Sequence, residues 1–514
     1  MYLTQSLHRA RQQNPDRIAT ICGARVRTVG ESVDRIARFG GALRELGVGA
    51  GDRVAYLGLN SDRYHEYLFA VPWIGGVVNP VNTRWSAAEI AYSLIDSATE
   101  VLLVDDAFID KAPALRDRVP HLSTVIHTGD GPLPDGALSY EDLIDGTPPV
   151  PDTRTGGDAL LGLFYTGGTT GEPKGVMISH TNLVTSGLGA LSTGFTATPG
   201  GRVLHAAPMF HMADIAMWTI GNLAGSTHVM IPSFTAAAAL EAMAAHRVTD
   251  TLLVPTMIQM LVDFASGGTA AGIEHDTGSM RHFLYGASPI SETVLERARA
   301  LFPAAEFAQA YGMTELSPIT TLLSPSDHDE PALRRAAGRA VPHAEVRVVD
   351  DADIEVPRGT VGEIVARGDH VMLGYWNKPE DSRRALRGGW MHTGDGGFMD
   401  ERGYVFVVDR IKDMIITGGE NVYSIEVENA LAKHPAVAAC AVIGLPDDRW
   451  GERVHAVVVP KSGVRVEIEE LRAHCKDLIA GYKVPRSMDL AESLPLSGAG
   501  KILKRELRDR LSNV

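Results

Sequence analysis

"LLGLFYTGGTTGEPKG", residues 160–175, runs from an apolar, strand-like stretch straight into a turn of glycine, threonine and a lysine. Its last eleven residues hold four glycines, four hydroxyl side chains counting Tyr165, one proline and one lysine, Lys174. Backbone N–H groups converge in such a turn because no Cβ blocks close approach, and they form a concave anion site. Thr166, Thr169 and Thr170 add hydroxyl donors and Lys174 adds one mobile charge, so the stretch reads as a polyphosphate cradle. Gly, Thr and Pro are also ordinary loop formers. The buried strand entering the turn is what favours the cradle.

The common nucleotide motifs do not fit. Counting from Gly168, the P-loop pattern would need its second glycine where Pro173 stands, and Gly175 follows the lysine. At Gly500–Lys501 the hydroxyl residue is replaced by Ile502, and no G-x-G-x-x-G lies between a strand and a helix. Kinases and ATPases of those types, and Rossmann dinucleotide binders, are thereby disfavoured.

Working outward, 514 residues exceed one ordinary core, so two or more domains are expected. An apolar content of 45% and a charged content of 22% describe a soluble globular chain with large cores. A net charge of −15 argues against a nucleic-acid partner, which calls for a basic surface. Cys22, Cys440 and Cys475 are odd in number and lack metal-ligand spacing, which suits unpaired thiols in a reducing compartment. The N-terminus has no apolar signal core, and the longest apolar run, "YLFAVPWIGGVV" (67–78), is far short of the ~20 residues a membrane span needs. A cytoplasmic location is expected, with peripheral membrane contact and a homodimer left open.

Most of the first 340 residues alternate short β-branched runs ("RVAYLGL", "VLLVDD", "VLHAAP", "HVMIP", "DTLLVP", "HFLYGAS") with helical patterns ("SAAEIAYSLIDSA", "FTAAAALEAMAAHRV", "SETVLERARALFP"). That rhythm predicts an α/β fold of mainly parallel sheets covered by helices, with ligands in the loops at strand ends. From about Ala340, "HAEVRVVDD", "VGEIVAR" and "GYVFVVDR" predict a β-rich subdomain, about 340–409. After "DRIKDMIITGGENVYS" (409–424) the pattern becomes a compact α+β unit. The expected domains are therefore 1–409 and 410–514.

"YTGGTTGEPKG" resembles the phosphate-binding signature of the adenylate-forming superfamily, which includes acyl- and aryl-CoA ligases, beetle luciferases and peptide-synthetase adenylation domains. "YGASP" (285–289), "AYGMTE" (310–315), "GWMHTGD" (389–395), "DRIKDMIITGGENVY" (409–423) and "LPLSGAGKILK" (494–504) follow in that superfamily's order and spacing. The resemblance covers nearly the whole chain and is closest to acyl-CoA synthetases. One departure is Gly167, where many members carry serine or threonine; the hydroxyl is lost but the N–H remains.

The resemblance implies a large N-terminal domain, a small mobile C-terminal domain and a two-step reaction. A carboxylic acid and ATP give an acyl-adenylate, and coenzyme A then displaces AMP to form a thioester, with Mg²⁺ on the phosphates. Thr166, Gly167, Gly168, Thr169, Thr170, Gly171 and Lys174 match the phosphate loop. Gly286, Ala287, Ser288, Tyr311, Gly312, Met313 and Thr314 match the adenine and α-phosphate segments, and Asp395 with Arg410 the ribose contacts. Glu315, with Thr166, matches the metal site, a hard-oxygen shell suited to Mg²⁺. Lys501 matches the catalytic lysine facing the charge that builds on the α-phosphate.

His211 matches a histidine at the mouth of the acyl pocket, with Met212, Ile215 and Met257 in the expected pocket wall. Asp214 beside them could cap a helix or meet a polar group on the substrate, and the helix cap is preferred. Lys412 matches the hinge about which the C-terminal domain swings between the half-reactions. Gly418, Gly419, Glu420, Trp450 and Lys483, together with Arg449 and Arg486, lie at family positions near the coenzyme A path.

Thr235 after Phe234 lacks the acid that amino-acid-activating relatives need, and only thirteen residues follow Lys501. A peptide-synthetase module is thereby disfavoured. The Met- and Ile-rich segments 211–220 and 255–261 favour an apolar acid, first a medium- or long-chain fatty acid and next an aryl or alicyclic one. A non-catalytic nucleotide- or acyl-binding relative is the competing class. Its mark would be loss of Lys501, Glu315 or Asp395, and all three are present.

Overall fold

The computed structural model describes residues 1–166, 172–267, 276–288, 290–418, 420–447, 449–461, 463–464, 466–496 and 502–511, without the side chains of Lys412 and Asn421. By internal contacts the chain forms two compact units, residues 1–346 with 366–391, and residues 347–365 with 392–514.

The first unit is built on two large sheets. One has the spatial order Arg339–Ala340, Thr321–Leu323, Glu306–Tyr311, His282–Gly286, Asp250–Leu253, Arg202–His205, Thr227–Met230, Ile18–Cys22, Arg25–Thr28. The other runs Gly374–Tyr375, Lys174–Ser179, Leu160–Thr166, Val77–Pro80, Arg53–Leu57, Val101–Val104, Thr124–His127, Leu138–Ser139. Central strands pair in parallel, as at Val54↔Val101 and Phe283↔Phe307, and antiparallel pairs lie toward the edges. The fold is thus mixed α/β with parallel sheets. All seven strands expected from β-branched runs form, from Arg53–Leu57 to His282–Gly286, because runs buried on both faces have no alternating polar side to offer water.

Helices begin where local chemistry closes their free N–H groups. Ser86 and Glu89 form a reciprocal capping box before Ala87–Asp96, and Ser291 caps Glu292–Leu301. The apolar run 67–78 is divided between the end of helix Asp62–Trp73, buried throughout, and strand Val77–Pro80. No helix among the described residues is long and apolar enough to cross a membrane. The three cysteines are buried and unpaired.

Asp214 is not the cap of its helix, Met212–Ala224. That position belongs to His211, whose Nδ1 accepts the Ala213 N–H at 3.2 Å. Asp214 is buried and hydrogen-bonds His205 Nδ1 at 2.8 Å, because a carboxylate facing inward from the first turn needs a side-chain donor.

The second unit holds most of a four-stranded sheet, Glu345–Val349, Gly362–Arg367, Met391–Met399, Val405–Arg410. It also holds a sheet ordered Glu420–Val422, Ile415–Thr417, Gly451–Pro460, Val437–Asp447, with Ser487–Leu490 beside Gly451–Pro460. Helices Ser424–Ala432 and Ile468–Lys476 pack there around Val427, Leu431, Val442 and Leu471. The β-rich stretch 340–409 is divided, with 347–365 and 392–409 in the second unit and 366–391 in the first.

Candidate active site

The glycine-rich stretch joins two antiparallel strands. Thr166 pairs with Lys174 and Tyr165 with Gly175, so the stretch is flanked by two paired strands. Gly167, Gly168, Thr169, Thr170 and Gly171 lie outside the described residues. The stems are firmly held. Tyr165 donates its hydroxyl to Asp96 Oδ2 at 2.6 Å, and Trp376 Nε1 donates to the Asp96 carbonyl at 2.8 Å. Burial, then Asp96, pushes the Tyr165 phenol far above its usual range, so it remains a donor. Lys174 Nζ pairs with Asp381 Oδ2 at 2.8 Å and lies 5.0 Å from the Tyr375 ring centroid.

Gly286 and Tyr311 end neighbouring parallel strands, in register at Gly286↔Ala310. This is where open α/β sheets place ligands. A Cβ on Gly286 would stand 2.2 Å from the Ala310 carbonyl oxygen. Ala287 follows at φ +68°, a left-handed conformation that costs a residue with a Cβ. Ser288 comes next, half-buried. Beyond Tyr311, a Cβ on Gly312 would lie 1.7 Å from the Pro318 carbonyl oxygen. Gly312→Ala must therefore displace backbone, and a loss of about 3 kcal/mol is expected, read as a lower denaturant midpoint. An unchanged midpoint would refute the packing.

Met313 and Thr314 lead into the turn Thr314–Leu316, which buries Glu315. The Tyr375 hydroxyl donates to Glu315 Oε1 at 2.8 Å, tying the end of one large sheet to the edge of the other. Glu315 and the half-buried Thr166 hydroxyl are hard oxygen donors. No group of three His, Cys, Asp or Glu suited to a metal occurs among the described residues. The donor set therefore fits a cation completing its shell from phosphate and water, as Mg²⁺ does.

The expected acyl-pocket residues fall into two core clusters. Met212 and Ile215 are buried with Met209, Phe210 and Trp218, whereas Met257 packs partly buried against the cluster of Leu240, Leu253 and Phe283.

In the second unit, Asp395 and Arg410 are cross-strand partners, with Arg410 Nε 3.3 Å from Asp395 Oδ1. Asp395 sits inside strand Met391–Met399, which its glycines conceal. Gly418 donates its N–H to the Trp450 carbonyl at 2.8 Å and leaves no room for a Cβ, which would come 2.9 Å from the indole. The Arg449 and Arg486 guanidiniums lie 4.9 and 4.3 Å from the Trp450 ring centroid. The fold thus gathers Gly418, Trp450 and two cations, whereas Lys483 is engaged with Glu426 at 2.7 Å and Glu420 is exposed. The backbone of Lys412 lies in the turn Ile411–Asp413, between Asp409, which accepts the Ser424 N–H at 2.6 Å, and Asp413, paired with Arg508 at 2.7 Å. Lys501 and Gly419 lie outside the described residues.

Comparison with known proteins fits this arrangement. The sequence model of the AMP-binding enzyme family matches residues 7–376, and that of the AMP-binding enzyme C-terminal domain matches 426–501. The chain belongs to the AMP-binding enzyme family. It is an adenylate-forming enzyme of the acyl-CoA synthetase, AMP-forming, class. A feruloyl-CoA synthase from Amycolatopsis sp is 40% identical over 508 residues, 98% of this chain and 97% of that one. A fatty acid–[acyl-carrier-protein] ligase, ScoC, from Streptomyces coeruleorubidus is 37% identical over 515 residues, covering 99% and 95%. Among solved structures, ATP-bound MatB from Rhodopseudomonas palustris aligns with a TM-score of 0.89 at 30% identity, covering 100% and 99%.

Within this AMP-binding enzyme, sequence reasoning missed Asp96, Tyr375 and Asp381. The only sequence signal is the aromatic pair in "GYWNKPED" (374–381), which has the look of a surface turn.

Proposed function

We propose that this enzyme joins an apolar carboxylic acid bearing an aryl group to coenzyme A, through an acyl-adenylate. The reaction class rests on one observation above all, the convergence of the Thr166–Lys174 hairpin with Glu315 through Tyr375 at strand ends of the first unit. The aryl acid rests on 40% identity to a feruloyl-CoA synthase along 98% of the chain. A fatty acid is the second reading, favoured by buried Met212, Ile215 and Met217 and by 37% identity to a fatty-acid ligase.

In the first step the acid's carboxylate oxygen attacks the α-phosphorus, and the bond to the bridging oxygen breaks with pyrophosphate leaving. The residues of 166–174 hold the β- and γ-phosphates, and Gly286 to Ser288 with Tyr311 flank the adenine. Thr314 contacts the α-phosphate, Asp395 and Arg410 meet the ribose, and Lys501 opposes the charge gathering on the transferring phosphoryl group. Glu315 and Thr166 would hold Mg²⁺, which when bound neutralises phosphate charge. His211, with Met212 and Ile215 on the helix it caps, orients the acid, and Met257 contributes a further apolar wall.

In the second step the coenzyme A thiol attacks the acyl carbon and the bond to AMP breaks. Gly418, Gly419 and Glu420 line the pantetheine path, while Trp450, Arg449, Arg486 and Lys483 meet its nucleotide end. Residues 1–409 act as the adenylating domain and 410–514 as a domain pivoting at Lys412.

The test is mass spectrometry of one reaction holding Mg²⁺-ATP, coenzyme A and a pool of aryl, alicyclic and acetate-to-long-chain acids. AMP with an aryl thioester is expected. An acyl-chain thioester alone would replace the aryl reading with the fatty-acid one, and AMP without thioester would refute coenzyme A as acceptor. Absence of AMP with every acid would refute the enzymatic reading of this site.

A further inference from the structure

Tyr375 makes two contacts that no single motif contains. Its hydroxyl donates to Glu315 Oε1 at 2.8 Å, and its ring lies 5.0 Å from Lys174 Nζ. The phenol cannot turn to water without giving up a buried carboxylate, since Glu315 is only 6% exposed. The ring's position is fixed from both sides. Tyr375 pairs with Val176 next to the hairpin stem, the Trp376 N–H reaches the Gly175 carbonyl at 2.8 Å, and the Tyr375 N–H reaches Ser382 Oγ at 2.8 Å.

Ser382 lies on helix Pro379–Ala385, which also carries Asp381, the 2.8 Å partner of Lys174. The hydrogen bond from Lys174 holds Asp381 below the usual carboxylate range, so it meets the ammonium as an anion at neutral pH. Lys174 thus has an anion on one side and an aromatic ring nearby, and it can exchange Asp381 for phosphate while keeping the ring contact.

We propose that Tyr375 is a positioning residue that holds Glu315 and Lys174 in one fixed relation, so that the divalent cation and the triphosphate bind as a matched pair. The proposal rests on the reading of Glu315 as the metal carboxylate and Lys174 as a phosphate cation. Tyr375 itself touches neither ligand. It keeps the carboxylate from rotating and the ammonium from wandering, so neither has to be ordered when the metal–nucleotide complex arrives.

Tyr375→Phe removes one oxygen and keeps the ring under Lys174. The direct probe is Mn²⁺ binding by electron paramagnetic resonance, with α,β-methylene-ATP present so that no reaction occurs. A hydrogen bond to a charged group predicts about tenfold or more weaker Mn²⁺ binding in this variant. The KM for Mg·ATP should rise similarly while the KM for the acid holds. A double-mutant cycle with Glu315→Gln separates positioning from general loosening. If Tyr375 acts through Glu315, its phenylalanine variant has no further effect on the KM for Mg·ATP in the Glu315→Gln background. Parent-like Mn²⁺ affinity in Tyr375→Phe, or an equal effect in both backgrounds, would overturn the proposal. Absence of nucleotide-dependent Mn²⁺ binding in the parent enzyme would instead overturn the reading of Glu315.

Discussion

Lys501→Ala is expected to slow acyl-adenylate formation by about 10²–10³-fold while leaving thioester formation from supplied acyl-adenylate near the parent rate. Carboxylate and triphosphate repel each other, so the first barrier is largely electrostatic, and a cation fixed over the α-phosphate lowers it most. The second step transfers an acyl group from a single phosphate and carries much less charge to oppose. The fold should survive the change, because the segment's anchors lie outside position 501. Leu496 bridges Ile502, the Leu503 N–H reaches the Pro495 carbonyl at 2.9 Å, and Lys504 pairs with Glu428 at 2.8 Å. Pyrophosphate–ATP exchange reads the first half-reaction and AMP release from acyl-adenylate with coenzyme A the second. Equal losses in both would remove Lys501 from its assigned role.

Asp62→Ala is expected to destabilise the first unit by about 3–5 kcal/mol without touching the site. Asp62 is fully buried at the start of helix Asp62–Trp73 and accepts from Arg25 Nε and a second Arg25 nitrogen at 3.0 and 2.9 Å, and from Arg27 Nε at 3.2 Å. Removing it leaves a cavity and takes away the buried anion that Arg25 and Arg27 share, leaving Arg25 with Asp130 at 2.6 Å and Arg27 with Glu66 at 3.5 Å. Burial alone would raise the Asp62 carboxyl, but the Arg25 hydrogen bonds and charge, with Arg27 and Arg63, outweigh it and hold it below the usual range. A lowered folded-state value means the contribution is fully present above the unfolded value of about 4 and fades as pH falls through the folded one. Denaturant midpoints followed by tryptophan fluorescence measure this, since Trp73 and Trp218 share one core cluster. The gap between the parent and Asp62→Ala midpoints should narrow as pH falls below about 4. A gap that stays constant through the acid range would sink the ion-pair account.

The sequence by itself determined the family, the reaction class and the strand-and-helix rhythm of the first unit, because each is written in local spacing. A motif is a short run of fixed residues, and a strand buried on both faces is a short unbroken apolar run. Local pattern was not enough at Met391–Met399, where Gly394, Gly396 and Gly397 weaken any strand signal and pairing with Val405–Arg410 supplies what propensity lacks. It was not enough at Asp214 either, since a carboxylate near a helix start reads as a cap until His205 is found beside it. Only the tertiary structure decided that the strands flanking the glycine-rich stretch pair antiparallel and that Gly418, Trp450, Arg449 and Arg486 meet. It alone brought Asp96, Tyr375 and Asp381 to the stems of the phosphate loop. Apart from the paired strands and the neighbours Arg449 and Trp450, those contacts join residues tens to hundreds of positions apart. Their strength comes from burial and distance, which exist once the sheets have packed and leave no period or spacing along the chain.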